Sequence, residues 1–262
     1  MEFFQGAFSF LGRESTVWVS QAHAIMATLV FDIETVGEDF DTLDETSQDV
    51  LTRWIKKESE SGENYTTALA DLKNGMGFSP LTGEIVAIGV RDVERGKGAV
   101  YFQSGKSKTE KNFEEGDYKF EVMTEKEMLT KFWEVVEKYD TFVTFNGRAF
   151  DVPFLMVRSA LAGIRPSKNL LANRYLNYHP SNARHVDLID QLTFYGAMRK
   201  KGSLHLWCRA FGIESPKAQG VDGDDVKALY EHCKSADIAR YNARDLEATT
   251  LLYQKYVTFL QF

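Results

Sequence analysis

The sequence predicts an α/β fold: a mixed β-sheet flanked by helices, in one domain with an insertion after its first strand. Two observations lead there. Three early stretches rich in Val, Ile and Phe read as strands, and from Thr124 onward the apolar residues recur at helical spacing, broken by one further strand.

Thr28 to Glu34 (TLVFDIE) reads as a central strand that ends at the Gly37 region. The polar, acidic stretch from 38 to 81 follows, with SESGEN at 59–64, NGMGFSP at 74–80 and helix-like pieces around Leu51 to Lys57, and reads as an insertion over the sheet. Strands are expected at Glu84 to Asp92 and Gly98 to Gln103, then a charged loop from Lys106 to Asp117. Thr124 and Glu127 form a capping box that opens a helix with Met128, Phe132, Val136 and Tyr139 on one stripe. TFVTFN at 141–146 reads as a strand. Asp151 to Ala162 reads as a helix with Pro153 in its first turn and Gly163 at its end. His185 to Leu192 fits a strand or a helix. Helical patterns return at Ser203 to Phe211, Asp225 to Cys233 and about Ser235 to Phe259. Residues 1–25 read as a leader of unknown role, because Met26 stands directly before the first strand. GVDG at 220–223 reads as a turn and lacks the GKS or GKT of a phosphate loop.

The 262 residues are 44% hydrophobic, 26% charged and 13% aromatic, which excludes disordered, collagenous and disulfide-scaffold classes. Net charge is -7, so the whole molecule is no polycation for nucleic acid. The charge is uneven: residues 141–220 hold eleven Lys and Arg against four acids, +7, which leaves -14 for the rest. Cys208 and Cys233 form no CxxC pair, and no N-terminal run can span a bilayer. A cytoplasmic location and no membrane contact are expected. His205 with Cys208, one helical turn apart, are expected to pack and not to hold zinc.

Three acids stand where apolar residues belong. Along the first strand Val30, Asp32 and Glu34 share one face, while Leu29, Phe31 and Ile33 share the other. In the last helix Ile238, Tyr241, Ala248, Leu252 and Tyr256 define a buried stripe, and Asp245 lies on it. Carboxylates so placed need a cation or strong donors. Arg240 and Arg244 are nearby but should project from other faces. Asp151, after the Asn146–Gly147 turn, is most simply a helix N-cap when taken alone.

FDIET at 31–35, N-x-x-x-F-D from Asn146 to Asp151 and Y-x-x-x-D from Tyr241 to Asp245 resemble, in order, the three motifs of the DEDD or DnaQ-like exonuclease superfamily. FDVPFLMVRSAL, HVDL at 185–188 and SLHLWCRAFGI at 203–213 are most similar to the proofreading domain of family-B DNA polymerases, particularly stand-alone relatives. Arg240 stands where the sibling subclass has His, which points to the tyrosine subclass.

The resemblance covers roughly Thr28 to Tyr256. It implies an RNase H-like fold and a 3′ to 5′ exonuclease using two divalent ions, Mg²⁺ or Mn²⁺. Asp32, Glu34, Asp151 and Asp245 would be the metal-binding acids, and Tyr241 would orient the attacking water. Thr35, Asn146, Arg148 and Phe150 would contact substrate. The expected substrate is the 3′ end of single-stranded nucleic acid, with DNA favoured over RNA. An RNA exonuclease and a catalytically silent binding module are the alternatives. Arg148, Arg158, Arg165, Lys168 and the Arg199–Lys201 cluster are candidates for phosphate, and Tyr175, Tyr178 and Phe194 for stacking. The insertion and leader depart from the family pattern, and no polymerase domain is expected after Phe262.

Overall fold

The computed structural model describes residues 27–58, 62–105, 109–219 and 223–261. The leader, Ser59 to Ser61, and most of GVDG lie outside the described residues. Seven strands form one mixed sheet: β1 (Thr28–Gly37), β2 (Gly83–Asp92), β3 (Lys97–Phe102), β4 (Phe113–Glu115), β5 (Tyr118–Val122), β6 (Thr141–Thr144) and β7 (Arg184–Asp187). Their order is β4-β5-β3-β2-β1-β6-β7. β1 is antiparallel to β2 and parallel to β6, and β6 is parallel to β7.

The period of two along β1 sorts its side chains between two apolar layers. Leu29, Phe31 and Ile33 join the layer under α3 (Glu125–Val136) and α4 (Asp151–Leu161). Val30 and Val36 join the layer under α8 (Ser235–Phe259), along with Ile238, Leu246 and Leu252 of that helix. Asp32 and Glu34 therefore interrupt an apolar row that faces α8.

Most expected elements occur where the patterns place them. The Thr124 capping box opens α3: Glu127 N–H donates to the threonine hydroxyl, and Glu127 Oε2 accepts the Thr124 N–H at 2.8 Å. The expected 38–81 insertion contains two helices, α1 (Glu45–Glu58) and α2 (Gly62–Gly75), where helix-like pieces were expected only around Leu51 to Lys57. The expected charged loop from Lys106 to Asp117 is corrected in part. Phe113–Glu115 pairs with Tyr118–Phe120 as an edge hairpin; one apolar residue and two acids give no readable alternation. The ambiguous stretch is both possibilities in turn, β7 followed by α5 (Leu188–Leu192). α6 (Leu204–Phe211) and α7 (Val226–Glu231) complete the second half.

Gly89 on β2 lies opposite Asp32 and lets α8 approach the sheet. A Cβ there would overlap Asn242 Oδ1 and stand 2.7 Å from Leu246 Cδ1. Gly89→Ala is expected to cost about 1–3 kcal/mol by overpacking. Urea unfolding checks this, and an unchanged midpoint contradicts it.

Candidate metal centre and active site

β1 pairs with β2 along nearly its whole length but with β6 only from Thr28 to Val30. Beyond Val30 the two parallel strands part, and a crevice opens at the carboxyl ends of β1, β6 and β7, where open α/β sheets bind ligands. Into it α4 inserts Asp151, which is 3% exposed. The Ile33 N–H donates to Asp151 Oδ1 at 3.1 Å. Asp151 is therefore not the N-cap: Phe150 holds that position, with no side-chain cap. A long-range backbone donor takes the carboxylate instead.

The turn that carries Asp151 is set by Asp187, a residue the motifs did not single out. Its carboxylate accepts the N–H groups of Asn146 at 3.1 Å, Arg148 at 2.9 Å and Ile189 at 2.9 Å. Asn146 is thereby held at φ 67°, a conformation that asparagine tolerates better than most residues.

Asp32, Glu34 and Asp245 each bring a carboxylate oxygen within 4.8 Å of the others. Their chemistry is consistent with close packing. Burial, with Asp151, Glu34 and Asp245 as neighbours, holds the Asp32 carboxyl well above the usual range. Burial and Asp245 raise Glu34, against the opposing hydrogen bond of Asn242. Burial pushes Asp151 up to about 7, although its own N–H and that of Ile33 oppose this. Asp245 is also pushed up to about 7 by burial, opposed by the Tyr241 hydroxyl and the charges of Arg244 and Lys217. Tyr241 lies one turn before Asp245; burial and then Asp245 raise its phenol, which stays neutral.

Among the described residues no arginine forms an ion pair with any of these acids. Arg240 bonds Glu115 and Asp237, and Arg244 lies over the Tyr241 ring at 5.7 Å. The donor set is all oxygen and anionic, and among the described residues no arginine pairs with it, which fits hard ions such as Mg²⁺ or Mn²⁺ and not zinc. It is the one such cluster among the described residues. His205 bonds Ser215, and Cys208 is core.

Asn242 was not visible as a site residue. Fully buried on α8, it donates Nδ2 to Asp32 Oδ2 at 2.8 Å. A glycine inside a strand opposite an acid was the available signal for Asn242.

The expected substrate residues meet different fates. Thr35 donates its hydroxyl to Gly77 O at 2.7 Å, which ties the insertion to β1. Asn146 has its N–H engaged by Asp187. Arg148 Nε lies 3.7 Å from Asp190 Oδ2. Phe150 is half-buried against Phe154 and Phe78. Two other expected phosphate cations are used internally. Arg158 makes a bidentate pair with Glu125, and Lys168 bonds the Tyr139 carbonyl. Arg165, Arg199, Lys200 and Lys201 remain exposed.

A mixed sheet flanked by helices, with acids of β1 and α8 gathered on one face, defines an α/β domain with an RNase H-like fold. The chain belongs to the family described as predicted 3′-5′ exonucleases related to the exonuclease domain of PolB, whose model matches residues 98–261. The DNA polymerase family B exonuclease domain model matches residues 15–171. The family B DNA polymerase of the hyperthermophilic archaeon Pyrobaculum calidifontis shares the fold, with a TM-score of 0.54 at 17% identity. That match covers 89% of this chain and 25% of the polymerase, so the chain spans about a quarter of that protein's length. No curated protein matches.

A carboxyl with a raised folded pKa contributes stability below its ordinary value of 3.8 and loses it as pH rises through about 7. The metal-free protein is expected to melt at lower temperature at pH 8 than at pH 6. Mn²⁺ should restore the difference, with its larger gain at pH 8. Thermal unfolding in EDTA and in Mn²⁺ checks this; a metal-free melting temperature that climbs across the window contradicts it.

Proposed function

We propose that this chain is a 3′ to 5′ exonuclease that removes nucleotides from the 3′ end of single-stranded nucleic acid, DNA before RNA. The convergence of Asp32, Glu34 and Asp245 within 4.8 Å, with no arginine partner among the described residues, carries this reading. Asp151 stands beside them at the start of α4. Two Mg²⁺ or Mn²⁺ ions held by the four acids would supply a nucleophile at neutral pH and relieve charge on the leaving 3′ oxygen.

The remaining work falls to the protein's own groups. Asn242 fixes the orientation of Asp32 through its amide. Tyr241 keeps its proton, so its hydroxyl can hold and aim a water at the cluster. Asp187 keeps the Asn146–Asp151 turn in place as a positioning residue. Arg165 and the Arg199–Lys201 cluster suit the phosphates of a short strand, which matches an acidic chain better than a long duplex would. The domain comprises residues 26–262, with 38–81 as its insertion. A cytoplasmic setting suits its two free cysteines; no described helix is long and apolar enough to cross a membrane.

A 5′-labelled single strand, as DNA and as RNA, in Mn²⁺ and in EDTA gives the test. Stepwise shortening from the 3′ end is expected in Mn²⁺ alone, faster on DNA. Asp32→Ala should remove it by at least about a thousandfold, and unchanged digestion by that variant sinks the assignment. Tyr241→Phe should slow turnover by roughly a hundredfold while Mn²⁺ binding persists. Loss of metal binding instead would make Tyr241 a structural residue.

A further inference from the structure

Beside its buried face α8 carries a charged stripe: Arg240, Arg244 and Glu247 follow at helical spacing and line a cavity of about 300 Å³ with Glu115 and Tyr118 of the edge hairpin. The charges there are shared out unequally. Arg240 takes Glu115 at 2.9 Å and Asp237 at 3.2 Å, and the buried Arg91 takes Glu247 at 3.1 Å. Both carboxylates of the cavity are thus engaged. Among the described residues Arg244 forms no ion pair, and its Nε–H is buried without a hydrogen-bond partner.

A buried donor left unpaired costs free energy, so the place of this guanidinium is set by another contact. That contact is Tyr241. The guanidinium carbon stands 5.7 Å from the centre of the phenol ring, on its face, within the range of a cation–π interaction. Helical side chains lean towards the N-terminus, which brings a residue three positions on back over the ring. Arg244 also opposes the rise of the Asp245 carboxyl, yet no ion pair joins them. A cation is kept beside the cluster without occupying a metal ligand.

A phenol oxygen lies on the axis of its ring, so its position depends on χ1 and on the tilt of the ring, and a planar guanidinium on the face restricts both. Tyr241, Arg244 and Asp245 share one helix. The stack therefore fixes the hydroxyl relative to Asp245, to which it donates.

We infer that Arg244 is a positioning residue for Tyr241: stacked on the ring, it holds the hydroxyl where the attacking water has to be aimed. This rests on the exonuclease reading above. The contact acts on the chemical step and not on substrate affinity.

The experiment measures kcat and KM on a labelled single strand at saturating Mn²⁺, for Arg244→Met, which removes the charge and keeps an apolar stem, for Arg244→Lys, and for Arg244→Met combined with Tyr241→Phe. Arg244→Met should lower kcat about fivefold to tenfold and leave KM within about twofold of the wild type. Arg244→Lys, still able to lie over the ring, should recover most of that loss. In the Tyr241→Phe background Arg244→Met should cost less than about twofold, because the hydroxyl it serves is gone. The Phe ring still stacks there, so a merely structural role would persist undiminished. An equal loss in both backgrounds, a loss confined to KM, no loss at all, or full turnover by Tyr241→Phe alone overturns the positioning role while leaving the exonuclease reading intact. Failure of the wild type to shorten the strand overturns both.

Discussion

Mutual repulsion of carboxylates in a half-buried crevice is the constraint around which this molecule is arranged. Two unit charges at such separations repel by roughly 3–4 kcal/mol at an effective dielectric of 20. Each hydrogen bond to a charged group returns about 1.5–3 kcal/mol. The bonds from Asn242, the Tyr241 hydroxyl and the N–H groups of Ile33 and Asp151 do not offset several such pairs at once. The acids must take up protons, as their raised pKa values indicate, or share cations.

The sheet makes the cluster possible. Asp32 and its partner Asn242 are 210 positions apart in the chain, and α8 joins them by lying across β1 and β2 with Gly89 as its contact point. On the other side, the early parting of β1 from β6 frees the Ile33 N–H for Asp151, while Asp187 sets the turn that delivers it. Backbone donors and one amide therefore position the acids, which leaves their remaining oxygens available.

Much of this was legible in the sequence, for identifiable reasons. β1 was readable because strict alternation separates Leu29, Phe31 and Ile33 from Val30, and α8 because its apolar stripe runs from Ile238 to Tyr256. Asp32, Glu34 and Asp245 stood out as charges in apolar rows. What failed was whatever depended on a distant partner. Asp151 looked like a helix cap because Ile33 could not be placed beside it. Arg158 and Lys168 looked free because Glu125 and the Tyr139 carbonyl lie far off in sequence. β4 was hidden because a three-residue edge strand with two acids has no apolar face.

The central claim is that these four acids exist to hold cations. Crystals soaked in Mn²⁺ and measured for anomalous scattering test it most directly. Two manganese peaks should lie among Asp32, Glu34, Asp151 and Asp245, and both should vanish in an Asp32→Asn crystal. An empty crevice at millimolar Mn²⁺, with the four carboxyls protonated and bonded to one another, would contradict the account.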